Sequence, residues 1–373
     1  MGDTHDLEKA KEAILNKDYD AAKDICLSAL KENEKGLPGE AAWRERLEIL
    51  LTLTEIGKHL DRLQDNITYL EEFIEGARTI NDLGMVAKGL VRTGFVYNRM
   101  GKRDLAMQKF NEAEEMARNI DNPVQCGYAL AGKANIYWRT GENMKAIDTA
   151  KKVLEIGLEH EEHTLTAGAA NVIASAHFEL ANFTEALKAA QMSVEVYRNA
   201  GNISDLARAL NNQGEIFKRM ESYKMAIESY EEGIALLDGR TVKRFGYLYT
   251  NLAECHIRLG NLEDAGIDLA KAREVLKDSE DRYAVACMMY VQGLLEAAKS
   301  RPEAAIELLR QAEGQMQELG VAYDLGTIRL ELTRQLIQVG EKEEARKTAD
   351  MAIEVLKKAG AVDLVEELKE LLK

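Results

Sequence analysis

One short string recurs along this chain and does more than any other feature to fix what it can fold into. A turn-forming residue is followed five positions later by alanine. The string appears as GKRDLA ending at Ala106, GENMKA at Ala146, ANFTEA at Ala186, ESYKMA at Ala226, GNLEDA at Ala265, SRPEAA at Ala305 and GEKEEA at Ala345. The steps between these alanines are 40, 40, 40, 39, 40 and 40 residues. Two looser copies precede them, KDYDAA ending at Ala22 and DRLQDN ending at Asn66, and the longer step of 44 between these two is absorbed by the loop ENEKGLPGEA with Pro38 and Gly39. Self-similarity at a fixed period means stacked copies of one supersecondary unit, none of which can bury its apolar face alone.

Within each copy the apolar residues fall at helical spacing twice. In the sixth copy, Leu206, Leu210, Gly214 and Phe217 mark one face, and Ile227, Tyr230, Ile234 and Leu237 mark another. Three- and four-residue steps of this kind predict amphipathic helices. Short breaks such as Met220-Glu221-Ser222 and Gly260-Asn261 separate the two helices of a copy. Ala200-Gly201, Leu319-Gly320 and Ala359-Gly360 end the second helix, as a left-handed cap glycine does. Only 3 prolines occur in 373 residues, where average usage of about 5% gives roughly 18. Two of them, Pro123 and Pro302, stand at predicted helix starts, where a missing N–H costs little. The expected fold is all-α: nine helix pairs over about 6–38, 39–82, 83–121, 122–161, 162–201, 202–240, 241–279, 280–320 and 321–360, with a capping helix over 361–373, in a single solenoid domain spanning 1–373. In the cap, Leu364, Leu368 and Leu371 are expected to face inward.

These copies resemble the tetratricopeptide repeat. In that motif a small residue stands twelve positions before the anchor alanine, here Ala10, Gly94, Ala134, Ala174, Gly214, Ala253 and Gly293, with Thr54 and Thr333 in the remaining two copies. A bulky residue often follows three later, here Tyr97, Tyr137, His177, Phe217, His256 and Leu336. A second small or apolar position, seven after the anchor, holds Ala29, Ala113, Val153, Ser193, Gly233, Ala272, Ala312 and Ala352. The resemblance covers roughly residues 6–358. The usual period of that family is 34, and six extra residues add about 9 Å of helix per copy at about 1.5 Å per residue. This is similar to the long-helix arrays of Pins/LGN-type scaffolds, kinesin light chains and bacterial peptide-sensing regulators. The resemblance implies a right-handed α-solenoid that binds proteins or peptides without catalysis.

Catalytic and cofactor motifs are weak. GYALAGKA over 127–134 matches most of a phosphate-binding loop but lacks the closing Ser/Thr and has no preceding strand. His160-Glu-Glu-His163 falls between two copies, with no further ligands in reach for zinc. His177 and His256 occupy packing positions. The expectation is a non-enzyme without cofactor or metal.

The resemblance also implies where a partner sits. The first helices line a concave face, and positions 18, 15, 11, 8 and 7 before each anchor point into it. Basic residues there are Lys88, Arg99, Arg139, Arg208, Lys218, Arg219, Arg258 and Arg334, against Glu179, Glu215 and Glu254. Eight minus three is +5, in a protein whose 49 Lys+Arg and 64 Asp+Glu give a net charge of −15. Aromatics interleave at Phe95, Tyr128, Trp138, Phe178, Tyr247 and Tyr290, and asparagines at Asn98, Asn135, Asn171 and Asn211. Arginine offers a planar donor fork to carboxylates, asparagine can pair with both groups of a bound backbone, and aromatic rings supply anchoring area. The predicted partner-binding groove is Phe95, Arg99, Asn135, Trp138, Arg139, Asn171, Asn211, Lys218, Arg219 and Arg258, and the predicted partner an acidic peptide or helix. A second reading assigns the cations seven before the anchor to the helix dipole, whatever is bound. The other function kept open is a sensor whose superhelix changes shape on binding a small peptide or ligand. The carboxylate-clamp set of co-chaperone repeats is only partly present, at Asn135, Arg208 and Asn212.

The overall acidity argues against direct nucleic-acid binding, which needs clustered cations. The N-terminal MGDTHDLEKAKEA has no basic-then-apolar leader, and Asp6 stands where a myristoylation signal needs Ser or Thr. No apolar run reaches about 18 residues, so no membrane insertion is expected. Cys26, Cys126, Cys255 and Cys287 are widely spaced, as in reduced, cytoplasmic proteins. Self-association is considered through the shorter N-terminal copy.

Overall fold

The structure, a computed structural model, describes residues 3–16, 18–34, 39–60, 62–237, 245–277, 279 and 281–373. Pro38 and the expected copy boundaries at 38, 240–241 and 280 lie outside them. The described residues form nineteen helices and no strand. They come in nine pairs: α1 Asp3–Leu15 with α2 Tyr19–Glu34, α3 Glu40–His59 with α4 Leu63–Thr79, α5 Leu83–Arg99 with α6 Arg103–Asn119, and α7 Pro123–Arg139 with α8 Asn143–Glu159. The series continues with α9 His163–Glu179 and α10 Phe183–Asn199, α11 Ile203–Arg219 and α12 Tyr223–Ala235, and α13 Tyr247–Arg258 and α14 Leu262–Leu276. It ends with α15 Arg282–Ala298 and α16 Pro302–Leu319, α17 Ala322–Gln338 and α18 Lys342–Lys358, and a single last helix, α19 Val362–Leu371. The helices group into two compact units, Met1–Val196 and Tyr197–Lys373.

The repeated small residues explain how the helices of a pair lie so close. Ala106, Ala146, Ala186, Ala226, Ala265 and Ala305 are all fully buried at the crossing. At Gly94 a Cβ would come within 2.6 Å of the Phe110 ring, and at Gly293 within 2.9 Å of Leu309. A larger residue at these seams would push the two axes apart. Asn66, in the anchor position of the second pair, is buried as well, and its Nδ2 donates to the Thr54 carbonyl at 3.0 Å.

The turns repeat as faithfully as the helices. Among the described residues, thirteen turns have one residue in the left-handed region, and the chain closes such turns with the bonds of a Schellman motif. In one such turn Lys102 N–H donates to the Tyr97 carbonyl and Gly101 N–H to that of Asn98. Glycine fills the position at 101, 141, 201, 260, 320, 340 and 360, but Asn81, Asp121, Glu161, Ala181, Glu221 and Ser300 adopt it too, at φ of 52–58°. A side chain in that region costs about 1–2 kcal/mol, so packing on both sides imposes the bend. At the starts, Asp82, Asn122, Asn202 and Asp281 accept the capping hydrogen bond of α5, α7, α11 and α15, and Pro123 and Pro302 take first-turn positions. The 127–134 string is interior α7 helix, and His160 caps α8 three residues before His163 opens α9.

Within each unit the first helices of successive pairs touch one another: α5 with α7 and α7 with α9, then α11 with α13, α13 with α15 and α15 with α17. The first helices therefore lie side by side within each unit. At the C-terminal end Leu368 is fully buried, and Val365, Leu364 and Leu371 pack with it against Leu330 and Leu356, so α19 covers the last pair. Among the described residues no helix is long and apolar enough to cross a membrane.

Candidate partner-binding face

The groove residues expected from sequence divide between the two units, and their surroundings differ. In the first unit α5, α7 and α9 carry Lys88, Phe95, Arg99, Asn135, Trp138, Arg139 and Asn171. Lys88 is half-buried near the start of α5. It makes no ion pair with a described residue, and burial, then Arg92, push its ammonium below the ordinary lysine value. Arg92, one turn on, is tied to α3 through Glu55 at 2.7 Å and Thr54 Oγ1 at 3.2 Å. Tyr128, forty residues after Lys88, donates to Glu162 Oε2 at 3.1 Å. Burial, then Glu162, raise its hydroxyl to about 12, so it stays a donor.

At the other end of the same helices, Asn135 Oδ1 accepts from Asn98 Nδ2 and from Arg139 Nε, each at 3.1 Å. The Arg139 guanidinium also lies 5.6 Å from the centroid of the Trp138 ring. Exposed as it is, it makes no ion pair with a described residue. Phe95 is 38% exposed and rests edge-on against Phe110, with ring centroids 5.0 Å apart. Arg99 is exposed at the end of α5 and Asn171 is half-buried on α9.

Of the five cations expected on the face of the second unit, four are ion-paired with carboxylates of the same unit. Lys218 Nζ lies 2.9 Å from Glu254 and 3.1 Å from Glu215. Burial works against its charge, but the two carboxylates outweigh burial and hold the ammonium above its ordinary value. Glu254 shows the reverse: burial pushes it up, and Lys218, then Arg258, bring it below the usual glutamate value. Arg258 stands 3.8 Å from the same carboxylate, and Arg208 pairs with Asp205 at 2.6 Å. Arg334 pairs with Glu331 at 3.0 Å and with Glu367. Asn211 Oδ1 accepts from Asn251 Nδ2 at 3.0 Å. The surplus of +5 counted from sequence is therefore largely neutralised in this unit by acids of the same chain. The asparagines Asn135 and Asn211 likewise pair with a neighbouring repeat before any partner is considered.

Arg219 differs from the other four cations expected on this face of the second unit. Its NH1 donates to the Tyr323 hydroxyl at 2.6 Å, and its guanidinium lies 5.6 Å from the centroid of the Tyr323 ring. Tyr323 lies 22 residues before Ala345, outside the positions that sequence reasoning assigned to the face. Its only signal was an aromatic residue in the first turn of a first helix. Between α12, α13 and α14, His256 Nδ1 is 2.9 Å from the buried Asp268 carboxylate, beside a cleft bordered by Ile234, Tyr249 and Lys271.

Antiparallel helix pairs repeated at forty residues, closing on small-residue seams and presenting their first helices on one side, define an α-solenoid of the protein-interaction class. The chain resembles tetratricopeptide-repeat proteins: the model of the tetratricopeptide repeat family matches residues 165–238 and 245–318. Human outer dynein arm-docking complex subunit 4 is 25% identical over 243 residues, which are 59% of this chain and 35% of that protein. The chain thus spans about a third of the length of this curated relative. Among solved structures, a Rap protein in complex with the competence and sporulation factor superposes with a TM-score of 0.65 at 15% identity, covering 96% of this chain and 98% of that one. The apo form of the quorum sensor NprR from B. thuringiensis gives 0.65 at 18% identity, covering 95% and 98%. At these identities the two structures share the fold.

Proposed function

We propose that the chain is a non-enzymatic scaffold that holds an acidic segment of a partner protein on the first-helix face of its first unit. The observation that carries this is the state of Lys88 and Arg139. Both lie on that face without a carboxylate partner among the described residues, whereas Lys218, Arg258 and Arg334 of the second unit are ion-paired. An unpaired guanidinium stacked on Trp138 combines the planar fork that carboxylates prefer with an aromatic anchor. Among the described residues, Asn98 Oδ1 and Asn135 Nδ2 have no hydrogen-bond partner and stand beside it for a bound backbone. A docking-complex subunit as relative and a peptide-bound neighbour of the same fold agree with this reading. Four free cysteines agree with a reducing, cytoplasmic setting.

The test is to bind fluorescein-labelled hexaglutamate to the wild type and to a K88E R139E double variant at low salt. Affinity should fall by one to two orders of magnitude, and an unchanged affinity would sink the proposal. A second reading, a sensor that changes curvature on binding, is favoured by the Arg219–Tyr323 contact, which ties α11 to α17. Small-angle scattering with and without the same peptide tests it, and an unaltered radius of gyration counts against it.

A further inference from the structure

The bond between Arg219 and Tyr323 joins residues 104 positions apart, the first helix of one pair to the first helix three pairs later, within the second unit. The other cations expected on this face of the unit are satisfied by carboxylates: Lys218 by Glu215 and Glu254, Arg208 by Asp205, Arg258 by Glu254, and Arg334 by Glu331. Arg219 instead has a neutral phenol oxygen and a ring face. Asp324, which follows Tyr323 on α17, is itself occupied, since its Oδ2 accepts from the Tyr283 hydroxyl at 3.1 Å. A guanidinium fork is made for two ionised oxygens in one plane, and charge-assisted bidentate pairs are about twice as strong as bonds to neutral acceptors. The phenol offers one oxygen, on an exposed part of the face where a ligand can reach it.

We propose that Arg219 is a second carboxylate site of this protein, on the first-helix face of the second unit, and that Tyr323 covers it until an acidic ligand displaces the phenol. The inference rests on the reading of an acidic ligand given above, and it adds the residue that competes with that ligand. Displacement also cuts the side-chain tie between α11 and α17, so occupancy of the site and the spacing of these two helices are coupled. A ligand carboxylate takes over the fork while the Tyr323 ring swings aside, and no covalent step is involved.

The experiment measures hexaglutamate binding by fluorescence anisotropy in a K88Q R139Q background, which silences the first unit. Tyr323→Phe keeps the ring and its packing but removes the competing oxygen. The expected result is about tenfold tighter binding, the worth of one hydrogen bond to a charged group, and its loss when Arg219→Gln is added. Spin labels at Lys224→Cys on α12 and Glu307→Cys on α16 should move apart when the peptide is added to otherwise wild-type protein. Equal affinities of the Tyr323→Phe variant and its parent, or a gain that survives Arg219→Gln, overturn the inference. If the wild type binds the peptide through Lys88 and Arg139 while Tyr323→Phe changes nothing, the scaffold reading stands and this site falls. If no form binds the peptide, both fall.

Discussion

The same substitution, glycine to alanine in the middle of a helix, should have opposite effects at Gly214 and Gly314. Both lie in the second unit, in α11 and α16. At Gly214 a Cβ would stand 2.4 Å from Cε1 and 2.7 Å from Cζ of Tyr230. Carbon atoms settle at about 3.5–4.0 Å, so the ring has to retreat by about 1 Å or more. Tyr230 is fully buried, and its hydroxyl donates to Glu215 at 2.6 Å, so retreat strains a packed core and a charge-assisted bond together. Overpacking costs about 1–3 kcal/mol and the weakened bond up to about 1.5 kcal/mol, against about 1 kcal/mol gained in helix propensity. The net is about 2 kcal/mol of destabilisation. At Gly314 nothing lies within 4 Å of the new methyl, and only the gain of about 1 kcal/mol remains. Urea unfolding followed by circular dichroism should separate the two variants by about 3 kcal/mol. In thermal melts this is about 2–4 °C per kcal/mol for a unit of this size. If Gly214→Ala unfolds at or above the wild-type midpoint, the account of the glycine seam as a steric requirement is wrong.

Two further outcomes follow from the ion pairs. Arg329, 6% exposed, pairs with Glu313 at 2.6 Å and donates to Gln317 at 3.1 Å. Arg329→Ala strands the carboxylate and should cost about 3–5 kcal/mol by urea unfolding, while Glu313→Gln together with Arg329→Met should recover most of it. Glu254 is held below its ordinary value of 4.5, so its pairing stabilises the fold above that value and is lost as pH falls through the lowered one. Lys218, held above 10.5, contributes fully below that value and loses its share as pH rises past the raised one. Glu254→Gln should therefore flatten the acid limb of a melting-temperature profile, and a limb as steep as the wild type's would contradict the pairing.

The period of the anchor alanines carries nearly all of the fold, because a residue that must be small at every crossing leaves a mark at a fixed interval. Ala106, Ala146 and Ala305 could be placed from spacing alone, and so could the paired helices around them. The left-handed residues were only half visible. Gly101 and Gly141 announce themselves, but Ala181 and Glu221 have no preference for that conformation and adopt it because the flanking helices leave no other path. The face was less legible than the fold. Counting charges at repeat positions found Lys218, Arg219 and Arg258, but not that Glu254, one repeat on from Lys218, neutralises two of them. Side-chain reach between adjacent repeats decides that, and it has no period. Nor did the spacing foretell that α12 and α13 are 13 and 12 residues long where most helices have 17.

The packing of each unit, from one helix to the next along the chain, also has a mechanical meaning. Load applied along such a stack is carried by a series of similar weak contacts, so the second unit should behave as a spring, extending a little at every seam before any pair gives way. The Arg219–Tyr323 tie acts in parallel with three of those seams. It should set the stiffness of that spring at small extension, and cutting it should soften the unit without lowering the force at which its helix pairs come apart.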